Sequence, residues 1–119
     1  MSIIAAVDDE PGILWTLDLR LRQAGHEIVG IDGAEGALQR LREIRPDLLL
    51  LDLMMPAMDG LTLLRHLRRD PLLRDTPVAM FTTVSDAAAQ AQAFALGVVD
   101  YIVKPPDWHD LSNRLRRHL

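Results

Sequence analysis

One run constrains this chain more than any other: Pro46-Asp47-Leu48-Leu49-Leu50-Leu51-Asp52-Leu53-Met54-Met55-Pro56. A short continuous apolar run ended by a proline-marked turn reads as a strand buried on both faces, the kind found at the centre of a parallel sheet. Asp52 stands where that strand leaves the core. In open α/β sheets ligands bind in the crevice beyond the carboxyl ends of the strands, so this acid has the address of a reactive group. The duller reading is an aspartate that caps the following turn.

The rest of the chain repeats one unit. Ile3 to Val7 is a short apolar strand followed at once by Asp8-Asp9-Glu10-Pro11, with Pro11 suited to the first turn of a helix. Leu14, Leu17, Leu21 and Ala24 fall on one helix face, and Gly25 stops it. His26 to Ile31 reads as a second strand, and Ala34, Leu38, Leu41 and Ile44 stripe a second helix that Arg45-Pro46 closes. After the central strand, Asp59-Gly60 opens a helix carrying Leu61, Leu64 and Leu67. Pro77 to Phe81 is a fourth strand, and Ser85 is the expected N-cap of an alanine-rich helix with Ala88, Ala91 and Ala95 aligned. Val98 to Val103 is a fifth strand, and Trp108, Leu111, Leu115 and Leu119 mark a last helix. Five strand-then-helix units with short connections predict a parallel sheet covered by helices on both faces. At 119 residues the chain reads as one domain, residues 1–119, able to bury its own core.

Composition narrows the function. The absence of cysteine removes disulfides and thiol chemistry together, and a net charge of −4 argues against a chain built to bind nucleic acid. Arg65, Arg68, Arg69 and Arg74, and again Arg114, Arg116 and Arg117, read as solvated helix faces. No run approaches a membrane span, the first strand starts too early to leave room for a signal peptide, and a reduced cytoplasmic setting fits.

Laying the strands parallel brings Asp8 and Asp9, Asp52, Thr82 and Lys104 to one edge. Two like charges about 4 Å apart repel by roughly 4 kcal/mol at an effective dielectric near 20, so the acids call for a cation. A hard ion such as Mg²⁺ suits carboxylate oxygens, whereas zinc is disfavoured where neither cysteine nor a neighbouring histidine is at hand. Carboxylate, metal, lysine and hydroxyl together describe a phosphoryl site in which an aspartate is the nucleophile. Each part has a plainer reading: acids at a helix start, a β-forming threonine, a surface lysine.

With these motifs in order, from Val7-Asp8-Asp9-Glu10-Pro11 through Asp52, Met55-Pro56, Met58-Asp59-Gly60 and Phe81-Thr82 to Asp100-Tyr101-Ile102-Val103-Lys104-Pro105, the chain closely resembles the receiver domain of two-component response regulators over Ile3 to Leu119. The resemblance implies a CheY-like, flavodoxin-like (βα)5 fold with strand order 2-1-3-4-5. It implies that Asp52 accepts a phosphoryl group from a histidine kinase phosphohistidine or a phosphotransfer protein, and that Asp8, Asp9, Asp52 and the Met54 backbone carbonyl hold Mg²⁺. It further implies that Thr82 and Lys104 contact the phosphoryl group, that a cis bond precedes Pro105, and that Tyr101 is an aromatic switch. That switch alters the surface of the fourth helix, fifth strand and fifth helix for a downstream target, an output domain or a second copy of the chain. Such a protein is a signalling phosphoacceptor rather than an enzyme with a separate substrate.

The chain departs from the family pattern at Thr83, where a small residue is usual, and at Pro106, which removes a further amide donor and delays the last helix. Met54 and Val84 occupy positions that tune acyl phosphate hydrolysis in the family, and both are apolar here. Neither can orient a water by hydrogen bonding, so the phosphorylated form is expected to last minutes or longer. Loss of the adduct within seconds, followed by intact mass, would refute this. A phosphatase of the haloacid dehalogenase type needs a second acid two residues past its nucleophile, and Met54 is there instead. A phosphate-independent interaction module has no physical need of clustered acids.

Overall fold

The computed structural model describes residues 2–119. Its ten elements alternate in chain order: β1 (Ile3–Asp8), α1 (Pro11–Gln23), β2 (Glu27–Asp32), α2 (Ala37–Ile44), β3 (Leu48–Leu51), α3 (Gly60–Arg69), β4 (Val78–Thr82), α4 (Ala87–Ala95), β5 (Asp100–Val103) and α5 (Leu111–Arg116). The strands form one parallel sheet in the order β2-β1-β3-β4-β5, with the leucine run at its centre. This is the flavodoxin-like (βα)5 architecture expected from the sequence.

The two cores follow from strand alternation. Leu49 and Leu51 face one way, into a cluster with Leu41 of α2, Leu64 and Leu67 of α3, and Ala93 of α4. Leu48 and Leu50 face the other, against Leu17 and Leu21 of α1 and Leu111 and Leu115 of α5. All four leucines are at most 1% exposed, which is why that run carries no polar residue.

Four expectations are corrected. The N-cap position of α4 is Asp86, not Ser85, and its side chain makes no capping bond. Ala88, Ala91 and Ala95 are exposed, and the buried line of α4 runs instead through Ala89, Ala93 and the following Leu96. An alanine-rich helix has little directional hydrophobicity, so the larger Leu96 decides its rotation. The last helix is also shorter than the stripe suggested: Trp108 precedes it, packing edge-on to Phe81 at 6.2 Å between ring centres, and Leu119 is exposed. Strand β5 begins at Asp100, after Val98 and Val99.

Arg68 departs from the solvated reading that holds for the rest of its cluster, the exposed Arg65, Arg69 and Arg74. Its guanidinium donates to the carbonyls of Leu96 (2.8 Å), Gly97 (3.2 Å), Thr76 (2.8 Å) and Arg74 (3.1 Å), joining the C-terminal end of α4 to the segment that enters β4. Burial lowers its pKa, with the Asp75 charge acting in the opposite sense. Removing it leaves those carbonyls without their donor. Arg68→Ala is expected to cost about 2 kcal/mol in urea denaturation, and Arg68→Lys to recover under half of that, because an ammonium lacks the planar fork.

Arg114 of α5 closes on Asp100 through two bonds, of 2.8 and 2.7 Å, and also reaches the Tyr101 carbonyl; His118 Nε2 lies 3.2 Å from Asp100. The Arg114 bonds outweigh burial and hold the Asp100 carboxyl at a pKa of about 2. A carboxyl held below its unfolded value stabilises the fold above that value and loses the contribution as pH falls through the folded pKa. Asp100→Asn should therefore cost about 1 kcal/mol at neutral pH, discounted for the partly exposed Arg114. The gap to the natural sequence should close between about pH 4 and pH 2, measured by urea denaturation.

Candidate functional site

Strand register delivers the functional side chains to one edge. Val7 pairs with Leu51, so Asp8 and Asp52 leave neighbouring strands side by side, and the Asp52 amide donates to the Val7 carbonyl at 3.0 Å. Thr82 pairs with Val103, and the Lys104 amide donates to the Thr82 carbonyl at 2.8 Å. The strand order reverses between β1 and β3, and the acids lie at that switch point.

Lys104 is the centre of the site. Its Nζ donates to Asp8 Oδ2 at 2.6 Å and to Asp52 Oδ2 at 3.4 Å, with Glu10 Oε1 at 3.9 Å and the Phe81 ring centre at 5.4 Å. The side chains of Asp8, Asp52 and Lys104 are each at most 4% exposed. Burial pulls the lysine pKa down, but the hydrogen bond to Asp8 and the charges of Asp8, Asp52 and Glu10 overcome it, and the ammonium is held above its usual range. Asp8 moves upward as well, because burial, helped by the Asp52 charge, exceeds what Lys104 and the Glu10 amide return.

Carboxylate oxygens of Asp8, Asp9, Glu10 and Asp52 all come within 4.8 Å of one another. Four clustered acids beside one ammonium leave an excess of negative charge. The donors are oxygens, without nitrogen or sulfur, and they cluster at a spacing that one hard divalent ion can serve. The residues therefore fit Mg²⁺. Met54 follows closely, its amide donating to Asp52 Oδ1 at 3.2 Å, while its side chain is exposed.

Thr82 is fully buried, and its hydroxyl oxygen accepts from the Val84 amide at 3.3 Å. The Tyr101 ring lies inward, 7% exposed, with its hydroxyl donating to the Val84 carbonyl at 2.6 Å. Burial raises the tyrosine pKa, and the charges of Asp86 and Asp52 add to it. Val84 thus links the threonine to the tyrosine through its own backbone. The Lys104–Pro105 peptide bond is cis.

The structure brings Asp8, Asp9, Asp52 and Lys104 into one cluster and sets Thr82 beside Lys104. It adds Glu10, which the sequence analysis named only among the acids that follow the first strand. Its position directly after Asp8-Asp9 was the available signal.

A doubly wound sheet with an acid-and-lysine cluster at its switch point defines a class of phosphoryl-responsive α/β proteins. The model of the response regulator receiver domain matches residues 4–116, and the chain belongs to that family, the receivers of two-component systems. It is 36% identical over 98% of its length to the DNA-binding dual master transcriptional regulator RpaA of Synechocystis sp.. It is 37% identical, over an equal 98%, to the DNA-binding response regulator MtrA of Mycolicibacterium smegmatis. It covers 48% and 50% of those proteins, so it spans about half the length of these relatives. Among solved structures, the chemotaxis protein CheY4 of Vibrio cholerae superposes with a TM-score of 0.92 at 28% identity, covering 100% of this chain and 99% of that one. The BeF3-activated receiver domain of Klebsiella pneumoniae RstA gives 0.89 at 29% identity, covering 98% and 97%. No described helix is long and apolar enough to cross a membrane.

Proposed function

We propose that Asp52 accepts a phosphoryl group from a phosphohistidine on a sensor kinase or phosphotransfer protein. The observation that carries this reading is the buried Lys104 ammonium bonded to both Asp8 and Asp52 at the end of the central strand. An Asp52 carboxylate oxygen attacks phosphorus. The new O–P bond forms as the P–N bond breaks, and the electron pair leaves on the imidazole nitrogen. Lys104 neutralises charge on the phosphoryl oxygens, and the Thr82 hydroxyl, now an acceptor from Val84, donates to one of them. Mg²⁺, held by Asp8, Asp9, Asp52 and the Met54 carbonyl, supplies further charge neutralisation and orientation when bound.

Thr82 turning toward the phosphoryl group breaks its bond to the Val84 amide, and Val84 also holds the Tyr101 hydroxyl. The switch thereby reaches the α4-β5-α5 face, which controls a downstream target or output domain and can pair two copies. The acidic chain works as one receiver unit in the cytoplasm and does not itself contact nucleic acid or membrane.

Incubation with a small-molecule phosphodonor tests this. One phosphoryl adduct by intact mass, formed with Mg²⁺ and lost without it, is the expected result. No adduct under any condition would overturn the reading in favour of a phosphate-independent interaction module.

A further inference from the structure

We infer that Glu10 sets the charge at the mouth of this site, tightening its hold on the divalent ion through an ion-bound water and slowing phosphoryl uptake from small dianionic donors. The inference rests on Asp52 being the phosphoacceptor and concerns which donors reach it.

The helix does not require the Glu10 side chain. At the N-cap of α1 its backbone carbonyl accepts from Ile13 and Leu14, while the carboxylate makes no capping bond. That carboxylate instead joins the acid cluster, with Oε1 3.9 Å from Lys104 Nζ. It is 56% exposed where Asp8 is 3% exposed, so it is the outer member of the set. A bound magnesium ion would take few protein ligands and keep several of its waters. The most exposed of the four acids is therefore placed to accept from a bound water rather than to bind the ion directly.

A cavity of about 550 Å³ opens at this mouth, lined by Asp9, Glu10, Met54, Met55, Pro56 and Asp59. Three of its lining residues are acids and none is a cation. An anionic donor arriving alone crosses that field unaided, whereas a phosphohistidine arrives on a protein whose own surface can offset it. Glu10 therefore discriminates against small acyl phosphates in favour of protein-borne donors.

The test uses Glu10→Gln and Glu10→Lys. Calorimetric titration of the metal-free proteins with Mg²⁺ should give an affinity about three- to tenfold weaker for Glu10→Gln, and weaker still for Glu10→Lys. At saturating Mg²⁺ and low salt, adduct formation from acetyl phosphate, a dianion, should accelerate about threefold or more. The gain should be smaller with monoanionic phosphoramidate and should shrink at high salt. Equal gains with both donors that ignore salt would be a structural effect and would overturn the inference. So would unchanged affinity and unchanged rates in variants whose parent is phosphorylated normally. A natural sequence that takes no phosphoryl group from either donor would sink the underlying phosphoacceptor reading instead.

Discussion

Asp52→Asn is expected to form no phosphoryl adduct with any donor and, in the absence of Mg²⁺, to melt higher than the natural sequence. Both results come from the same atoms. Asparagine keeps the shape of the side chain and an oxygen to accept from the Met54 amide, so the strand end is undisturbed. What disappears is the anionic oxygen proposed to attack phosphorus, and one of three carboxylates that share a single ammonium. Lys104 retains its shorter bond to Asp8, so the attraction lost, at 3.4 Å, is the weaker of its two. Relief of the crowding is expected to stabilise the metal-free protein by about 1 kcal/mol, or about 4 °C in melting temperature. Added Mg²⁺ should stabilise the natural sequence more than the variant and narrow the gap. An adduct on Asp52→Asn would move the phosphoacceptor elsewhere, and a lower melting temperature would mean that Lys104 needs both acids.

Gly60→Ala is expected to cost more than about 3 kcal/mol in urea denaturation. Gly60 opens α3 directly beneath the loop that follows β3, with its amide donating to the Leu53 carbonyl at 2.8 Å. A methyl group there would overlap the Asp52 carbonyl oxygen and lie 2.8 Å from Leu53 Cα and 2.9 Å from the Asp52 carbonyl carbon. These atoms are all backbone, at the end of a fully buried strand, so no side chain can swing away to make room. The displaced residue is Asp52 itself, and the fraction that still folds should be phosphorylated more slowly. Gly12→Ala on α1 is the control: a methyl there meets nothing within 4 Å, and the change should be neutral or slightly stabilising. Equal stability of the two variants would show that the approach of α3 to the β3 loop is looser than the structure has it.

Much of this was legible in the chain. Strands could be read because parallel strands are continuous apolar runs, and the acids because they follow those runs directly. Glu27–Asp32 lies one residue from the expected second strand, within the usual fraying of element ends. The failures have a common cause. The rotation of α4 depended on Leu96 outside its alanine stripe, and the length of α5 on the two prolines before it together with the packing of Trp108 on Phe81. Arg68 resembled its neighbours Arg65 and Arg69 in sequence, and only the fold brings the carbonyls of Leu96 and Gly97 to it from 28 and 29 positions away. Glu10 was hidden by ambiguity, since an acid beside a helix start is already favoured by the dipole.

Arg68 also makes α4 asymmetric. One end of the helix is tethered by a guanidinium to the chain entering β4, while the other, at Asp86, has no side-chain cap and lies a few residues past Thr82. A rod held more firmly at one end than at the other behaves as a lever. The tether is remote from Thr82 and the uncapped end is close to it, so the Thr82 hydroxyl rotation proposed above would swing the helix rather than translate it.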